Sequence, residues 1–238
     1  MSDFYTHLKK SLEALNIQYD DNICHQFYNY YEFLVRWNSC INLTALTEQD
    51  DVIDKHFIDS LSLCTYIGLE DQAIIDVGTG AGFPGVPLKI MYPDLKMVLL
   101  DSLNKRVRFL DDLIRELGLL NIDVYHGRAE TFAKNPKFRE SFDLCVSRAV
   151  ANLSTLSELC LPFVKKGGSF ISYKGSDPED EVLKAENAIS LVGGSVNNMY
   201  KFKLPFTDIS RSIIFIDKNK NTPGKYPRKE GTPSKDPL

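Results

Sequence analysis

The sequence predicts an α/β fold in three parts: a helical segment at residues 1–70, a mostly parallel seven-stranded sheet with flanking helices at 71–218, and a basic tail at 219–238. Three observations lead there. Apolar residues recur at helical spacing before Asp71, and after it short apolar runs of strand length alternate with helical patterns. The stretch IIDVGTGAGFPGVP (74–87) follows the first of those runs with Gly78, Gly80, Gly82 and Gly85 close together. Strand–helix alternation argues for parallel strands covered by helices on both faces.

Taken in order, Leu8, Leu12 and Leu15 mark a short helix. Ile23, Phe27, Tyr30, Tyr31 and Leu34 form one apolar stripe on a helix from about Asp20 to Trp37. Asn42-Leu43-Thr44 reads as a turn or cap, and Val52, Ile53, His56, Phe57 and Leu61 mark a third helix. Strands are expected at 73–77, 97–101, 122–126, 142–147 and 169–173. Between the second and third, Leu103, Val107, Leu110, Ile114 and Leu117 share a helix face that Gly118 ends. Runs at 195–203 and 211–217 are separated only by 205–210, too short for a helical crossover, so they pair antiparallel. Seven strands with the last two antiparallel are the inventory of the class I S-adenosylmethionine-dependent methyltransferase sheet, a Rossmann-like fold. The tail, rich in Pro, Gly and Lys, is expected to carry no regular structure.

The totals exclude several classes. A net charge of -4 gives no general attraction to polyanions, so nucleic-acid contact requires a local basic patch. No apolar run approaches the ~20 residues of a membrane span, and the start MSDFYTHLKK lacks the pattern of a secretory signal. Cys24, Cys40, Cys64, Cys145 and Cys160 are far apart and form no C-x-x-C pair, so neither zinc nor a disulfide framework is expected. A cytoplasmic protein without metal is the expectation, and nothing suggests an obligate oligomer.

The glycine stretch fits two ligands. From Gly80 it reads G-x-G-x-x-G, the dinucleotide fingerprint; from Asp76 it reads D-x-G-x-G-x-G, the pattern of methyl-donor enzymes. Asp101, closing the second strand about 20 positions later, suits the ribose of either. Asp76 breaks the tie, because a carboxylate there acts, directly or through water, on the cationic methionine end of the donor but repels a pyrophosphate. Pro84 removes an N–H where a phosphate site relies on them, and the chain after Asp71 supplies one sheet with no second substrate domain. A plain tight turn, with Asp101-Ser102 merely capping a helix, is the structural alternative.

The atom that receives a methyl group decides whether a base is needed. Exocyclic amino methylation goes with an Asn/Asp-Pro-Pro-aromatic motif after the fourth strand, where this chain has SRAV (147–150). Pyrimidine carbon-5 methylation needs a Cys nucleophile, and no Cys follows a proline. Ribose methylation needs a Lys-centred cluster; Lys174 is a possible member without an evident acidic partner. An atom with a ready lone pair, such as guanine N7, remains by elimination.

These residues also carry a family likeness. WNSCINLT (37–44), HFIDSL (56–61), DVGTGAGFPG (76–85), LLDSLNKRVRFL (99–110), GRAE (127–130), SRAVANL (147–153), YKG (173–175) and YPRKEGTPSKDPL (226–238) resemble the ribosomal RNA small-subunit methyltransferase G family, also called glucose-inhibited division protein B. The resemblance spans nearly the whole chain. It implies S-adenosylmethionine as cofactor and N7 of one guanosine in 16S ribosomal RNA as the target. By matched motif it implies a donor pocket of Gly78, Gly80 and Phe83, with Asp101 and Ser102 at the ribose and Ala129 and Glu130 at the adenine. Arg148 is placed beside the methionine end and the target base, where it serves both binding and catalysis; a structural ion pair is its alternative role.

For RNA, three basic groups are candidates: Lys105, Arg106 and Arg108 on the helix after Asp101; Lys165 and Lys166 before the fifth strand; and Lys225, Tyr226, Arg228 and Lys229 in the tail, with Tyr226 available to stack on a base. A solvated terminus is the other reading of the tail. His56 is expected to be packed or hydrogen-bonded rather than catalytic. Three rival functions stay open on sequence alone: a methyltransferase for small molecules or proteins, a donor-binding factor without turnover, and a nicotinamide oxidoreductase.

Overall fold

A computed structural model describes residues 2–148 and 151–238. Its centre is one seven-stranded sheet, ordered β3-β2-β1-β4-β5-β7-β6. The strands are β1 (Ala73–Val77), β2 (Lys96–Asp101), β3 (Ile122–His126), β4 (Phe142–Arg148), β5 (Val164–Lys174), β6 (Gly194–Lys203) and β7 (Ser210–Lys218). β1 to β5 run parallel, and β7 lies antiparallel between β5 and β6. The chain reverses its direction of winding between β1 and β4, the switch point where open α/β sheets bind ligands at their carboxyl edge.

Side-chain alternation sorts β1 onto two cores. Ile74 joins Phe4, Leu8, Leu12, Phe27, Tyr30 and Phe57 on one face. Ile75 and Val77 join Leu100, Cys145, Leu156 and Phe170 on the other. The first face is therefore covered by the helical segment, α1 (Ser2–Ala14) and α2 (Asp21–Ile41), which shares its core with the sheet. Phe27, Tyr30 and Phe57 are fully buried there, each contributing about 1.5–3 kcal/mol by leaving water. His7 pins α1 from its other side, its ring nitrogens 3.0 and 2.9 Å from Asp50 and Asp54.

The third predicted helix is not uniform. A short α3 (Gln49–Val52) passes into a π-helical turn (Ile53–Ile58) and then α4 (Asp59–Leu61). Such wide turns depart from the 3.6 period that the apolar pattern alone predicts. Downstream come α5 (Gly85–Met91), α6 (Asn104–Leu117), α7 (Ala129–Phe132), α8 (Leu153–Cys160) and α9 (Glu179–Leu191). Gly118 closes α6 at φ 62, a left-handed backbone that suits glycine.

The tail contradicts the expectation of no regular structure. It packs on the second core and ends in α10 (Thr232–Lys235). Arg139 donates to the carbonyls of Thr222 (2.7 Å) and Tyr226 (3.0 Å). Tyr226 is 5% exposed. Arg228 donates through its backbone N, Nε and Nη2 to Glu158, whose side chain is fully buried. A buried carboxylate demands such a partner, and this demand orders the tail where composition pointed to none.

Arg228→Ala leaves Glu158 buried without its counter-charge, a change that costs about 3–5 kcal/mol when a pair is fully enclosed. Arg228 is partly exposed, so a loss of about 2–3 kcal/mol and a fall in Tm of roughly 4–12 °C are expected by calorimetry. An unchanged Tm contradicts this account of the tail.

Candidate active site

The glycine stretch forms the turn from β1 into α5, and one carboxylate organises it. Asp76 is fully buried, and its Oδ2 accepts from Thr79 Oγ1 (2.7 Å) and Gly85 N (2.8 Å). Burial pushes its carboxyl up to about 7. Asp76 thus lies beneath the loop and is not among the residues lining the cavity, so of the two expected modes, direct or through water, direct contact with a donor is not what this geometry offers. Gly78 and Gly80 have φ of 74 and 63. A Cβ on Gly80 would meet only Gly78 O, at 4.0 Å, so this glycine keeps space clear rather than packing. Gly82 differs: a Cβ there would lie 2.6 Å from Tyr30 Oη, whose hydroxyl donates to Ala81 O.

Above the loop is a cavity of about 330 Å³ lined by Gly78, Gly80, Phe83, Asp101, Ser102 and Arg148, together with Thr44 and His56. Asp101 Oδ1 accepts from Leu103 N and its Oδ2 from Gly80 N, both at 2.9 Å. The carboxylate therefore shapes the turn ahead of α6, as the capping alternative holds. With about four lone-pair sites it retains room for a ribose hydroxyl. A smaller cavity of about 230 Å³ adjoins through Gly78 and Ser102 and is lined by Leu100, Ala129 and Glu130. The tail closes it: Ser234 lines it, and Gly231 N donates to Glu130 Oε1 (2.9 Å). Together the two cavities fit a nucleoside joined to a charged chain: a slot of mixed polar and apolar lining, an acceptor in Asp101 and an unobstructed glycine face.

A third cavity of about 380 Å³ opens beside the first and shares His56 and Arg148 with it. Lys55, Asp59, Tyr173, Lys174 and Arg211 complete most of its wall. Arg148 stands between the two spaces. Its Nη1 donates to Lys55 O (3.1 Å) and Asp59 Oδ2 (2.9 Å), and its Nη2 to His56 Nδ1 (3.2 Å). The π-helical turn supplies the carbonyl and the imidazole, which gives that irregularity its use. Because Arg148 can only donate, His56 Nδ1 accepts and Nε2–H donates to Thr44 Oγ1 (2.9 Å). Burial and the neighbouring guanidinium hold the imidazole neutral, its pKa lowered to about 3. The ring stacks on Phe83 with centroids 4.4 Å apart.

The residues expected around the donor thus come together at the carboxyl edge, apart from Asp76 beneath it. The candidate RNA contacts scatter. Arg106 lines the donor cavity and pairs with Asp101 (3.3 Å), and Lys105 Nζ reaches Ile41 O (2.9 Å). Lys165 and Lys166 lie at the start of β5, at the opposite edge of the sheet; Lys165 pairs with Asp143. Tyr226 and Arg228 are held in the packed tail, so stacking on a base from Tyr226 is ruled out without unpacking it. Arg108, Lys225 and Lys229 remain exposed. Sequence reading missed Asp59, Tyr173 and Arg211, and it missed the acidic partner of Lys174, which is Glu181 (2.7 Å). Ala149 and Val150 of the SRAV motif lie outside the described residues. Among the described residues no group of three or more His, Cys, Asp or Glu is placed to hold a metal, and no helix is long and apolar enough to cross a membrane.

Comparisons with known proteins agree with this arrangement. The family described as rRNA small subunit methyltransferase G matches residues 23–213. Ribosomal RNA small subunit methyltransferase G of Clostridium novyi (strain NT) is 48% identical over 236 residues, covering 99% of this chain and 97% of that protein. The protein of the same name from Alkaliphilus metalliredigens (strain QYMF) is 50% identical over 232 residues, covering 97% of each. Among solved structures, a SAM-dependent methyltransferase from Aquifex aeolicus superposes with a TM-score of 0.52 at 17% identity, over 70% of this chain and 92% of that one. M. jannaschii TYW2 in complex with AdoMet gives 0.52 at 13%, over 68% and 76%. Those two likenesses carry the fold, and the close relatives carry the assignment: the chain belongs to the rRNA small subunit methyltransferase G family.

Proposed function

We propose that the protein transfers the methyl group of S-adenosylmethionine to N7 of a specific guanosine in small-subunit ribosomal RNA; the names of its relatives support the methylation of small-subunit ribosomal RNA. The observation that carries the reading is the pair of cavities meeting at Arg148, one shaped for a nucleoside donor and the other open beside it. In this reading Gly78, Gly80 and Phe83 form the floor of the donor site, Asp101 and Ser102 hold the ribose, and Ala129 and Glu130 flank the adenine. When bound, the donor supplies a methyl group made electrophilic by its sulfonium. The chain has to align that methyl with the incoming atom and exclude water.

The proton inventory supports N7. His56 has both ring nitrogens engaged and stays neutral. Lys174 is committed to Glu181 and Ala151 O. Asp59 is paired with Arg148. Among the described residues around the cavity beside the donor site, Asp59 Oδ1 is the acceptor left without a hydrogen bond, and it is held between Arg148 and Arg211; N7 needs no base, because it has no proton to lose. Arg148, rigid on its carbonyl and carboxylate partners, orients the base as a fixed donor. For the RNA backbone, Lys55 and Arg211 at the cavity mouth join Lys105 and Arg108 as candidate contacts. A monomer is the reading for the oligomeric state, and the ribosomal substrate supports a cytoplasmic location. The Lys174–Glu181 pair favours one second reading, methylation of a ribose hydroxyl.

Methyl-labelled donor, incubated with small subunits lacking the modification and followed by digestion to nucleosides, separates these readings. Label in 7-methylguanosine is expected; label in a 2′-O-methyl nucleoside selects the alternative, and label surviving only in protein or small molecules removes RNA as substrate. In the same assay Arg148→Ala is expected to lower transfer by about 10²–10³-fold. Gly78→Val, which forces a branched side chain into a left-handed backbone at the cavity floor, abolishes donor binding by calorimetry. Full activity in either variant contradicts the role assigned to it.

The pH profile follows from the same residues. With the His56 pKa near 3, no acid limb around the ordinary imidazole value of about 6.5 is expected in kcat/KM. An acid limb near that value which disappears in His56→Gln would make His56 a base and overturn the proton inventory.

A further inference from the structure

Among the described residues, the third cavity, beside the donor site, is lined by one carboxylate, Asp59, and its two oxygens differ. Oδ2 accepts from Arg148 Nη1 at 2.9 Å. Oδ1 makes no hydrogen bond among the described residues, although Arg211 Nε lies 3.3 Å away. The Asp59 side chain is 5% exposed, that of Arg211 27%. A buried acceptor left without a hydrogen bond is costly and uncommon, and here it sits in the wall of a cavity. The other charged side chains on that wall, Lys55, Arg148, Lys174 and Arg211, can only donate.

We propose that Asp59 determines the specificity for guanine: Oδ1 accepts from the N1–H and N2–H edge of the base while Arg148 beside it donates to O6. This rests on the reading that the cavity next to the donor site takes the target guanine. The order of the two groups is what discriminates. Arg148 borders both this cavity and the donor cavity, whereas Asp59 borders only this one. With O6 on Arg148 and N1–H on Asp59, N7, which neighbours O6, falls on the donor side. Adenine presents a donor at C6 and an acceptor at N1, the reverse order. The same pair holds adenine only turned over, and that carries its N7 away from the donor cavity. Arg211 gives way as the base arrives, because its contact with Oδ1 is unaligned and its side chain is partly exposed. Its charge then faces the rim, where the RNA backbone enters.

The test uses reconstituted small-subunit particles carrying guanosine, inosine or adenosine at the methylated position, with kcat/KM read from labelled methyl transfer. Inosine keeps O6 and N1–H and lacks the N2 amino group. For the unaltered protein, inosine is expected to be slower than guanosine by about tenfold and adenosine by at least about a hundredfold. In Asp59→Asn, guanosine falls by about a hundredfold, and the guanosine-to-inosine ratio collapses to about one. Equal rates on guanosine and inosine by the unaltered protein overturn the proposal, whatever the variant does. So does a variant that keeps the original ratio. Donor affinity and Tm of Asp59→Asn separate a specificity change from a lost fold, and the inosine comparison on the unaltered protein decides the matter if the variant fails to fold. No 7-methylguanosine from any particle, with donor binding intact, would instead overturn the N7 reading itself.

Discussion

The site depends on satisfying one buried guanidinium. Arg148 ends β4 with only 12% of its side chain exposed, and a charge so placed must find acceptors within the protein. It finds them in the helical segment, at Lys55 O, the His56 imidazole and Asp59. These partners all lie in the 53–61 stretch, which covers the carboxyl edge of the sheet and includes the π-helical turn. The helical segment is thereby a wall of the site as well as a cover for the sheet. His56, held by Arg148 on one nitrogen and Thr44 on the other, brings the end of α2 into the same wall.

Two aspartates at neighbouring strand ends show how position divides similar chemistry. Asp76 and Asp101 lie at the carboxyl ends of the neighbouring strands β1 and β2, with Asp101 two residues beyond the register partner of Asp76. Asp76 points under the loop and spends Oδ2 on Thr79 and Gly85, fixing the turn. Asp101 holds Gly80 N and Leu103 N from the cavity side, so its carboxylate is both a brace and a surface for ligand. The left-handed glycines between them leave the space over the loop clear. From the far side, the tail closes the cavity at Ala129 and Glu130 through Gly231 and Ser234. One continuous wall thus draws on the chain from Thr44 to Ser234.

Much of this was legible in the sequence where local pattern and tertiary role coincide. β1 and β3 fall at the predicted residues because their apolar runs are bounded by polar turns, and α6 ends at Gly118 because the left-handed cap suits glycine. The donor loop was legible because its glycines answer a backbone need. Asp59 and Arg211 were not, because they lie in segments far apart in sequence and acquire meaning only when β7 is brought next to β5 and α4 is set over both. The tail was misread because its order comes from one long-range demand, the buried Glu158 carboxylate, which composition does not disclose. Lys165 and Tyr226 show the converse: a basic or aromatic residue is a candidate for RNA until the fold places it at the wrong edge or inside the core. The resemblance to a family supplied the cofactor and target; the physical reading supplies how Arg148 joins their two places.

The central claim is that Arg148 divides a donor cavity from a base cavity. A crystal structure of the protein with S-adenosylhomocysteine and guanosine monophosphate tests it most directly. The account predicts the adenine of the donor product in the Ala129–Glu130 slot, its ribose on Asp101, its sulfur facing the Arg148 wall, and guanine across that wall beside Asp59. A nucleoside placed on the Tyr173–Arg211 side with its sulfur turned from Arg148, or guanine bound at another face of the sheet, would contradict it.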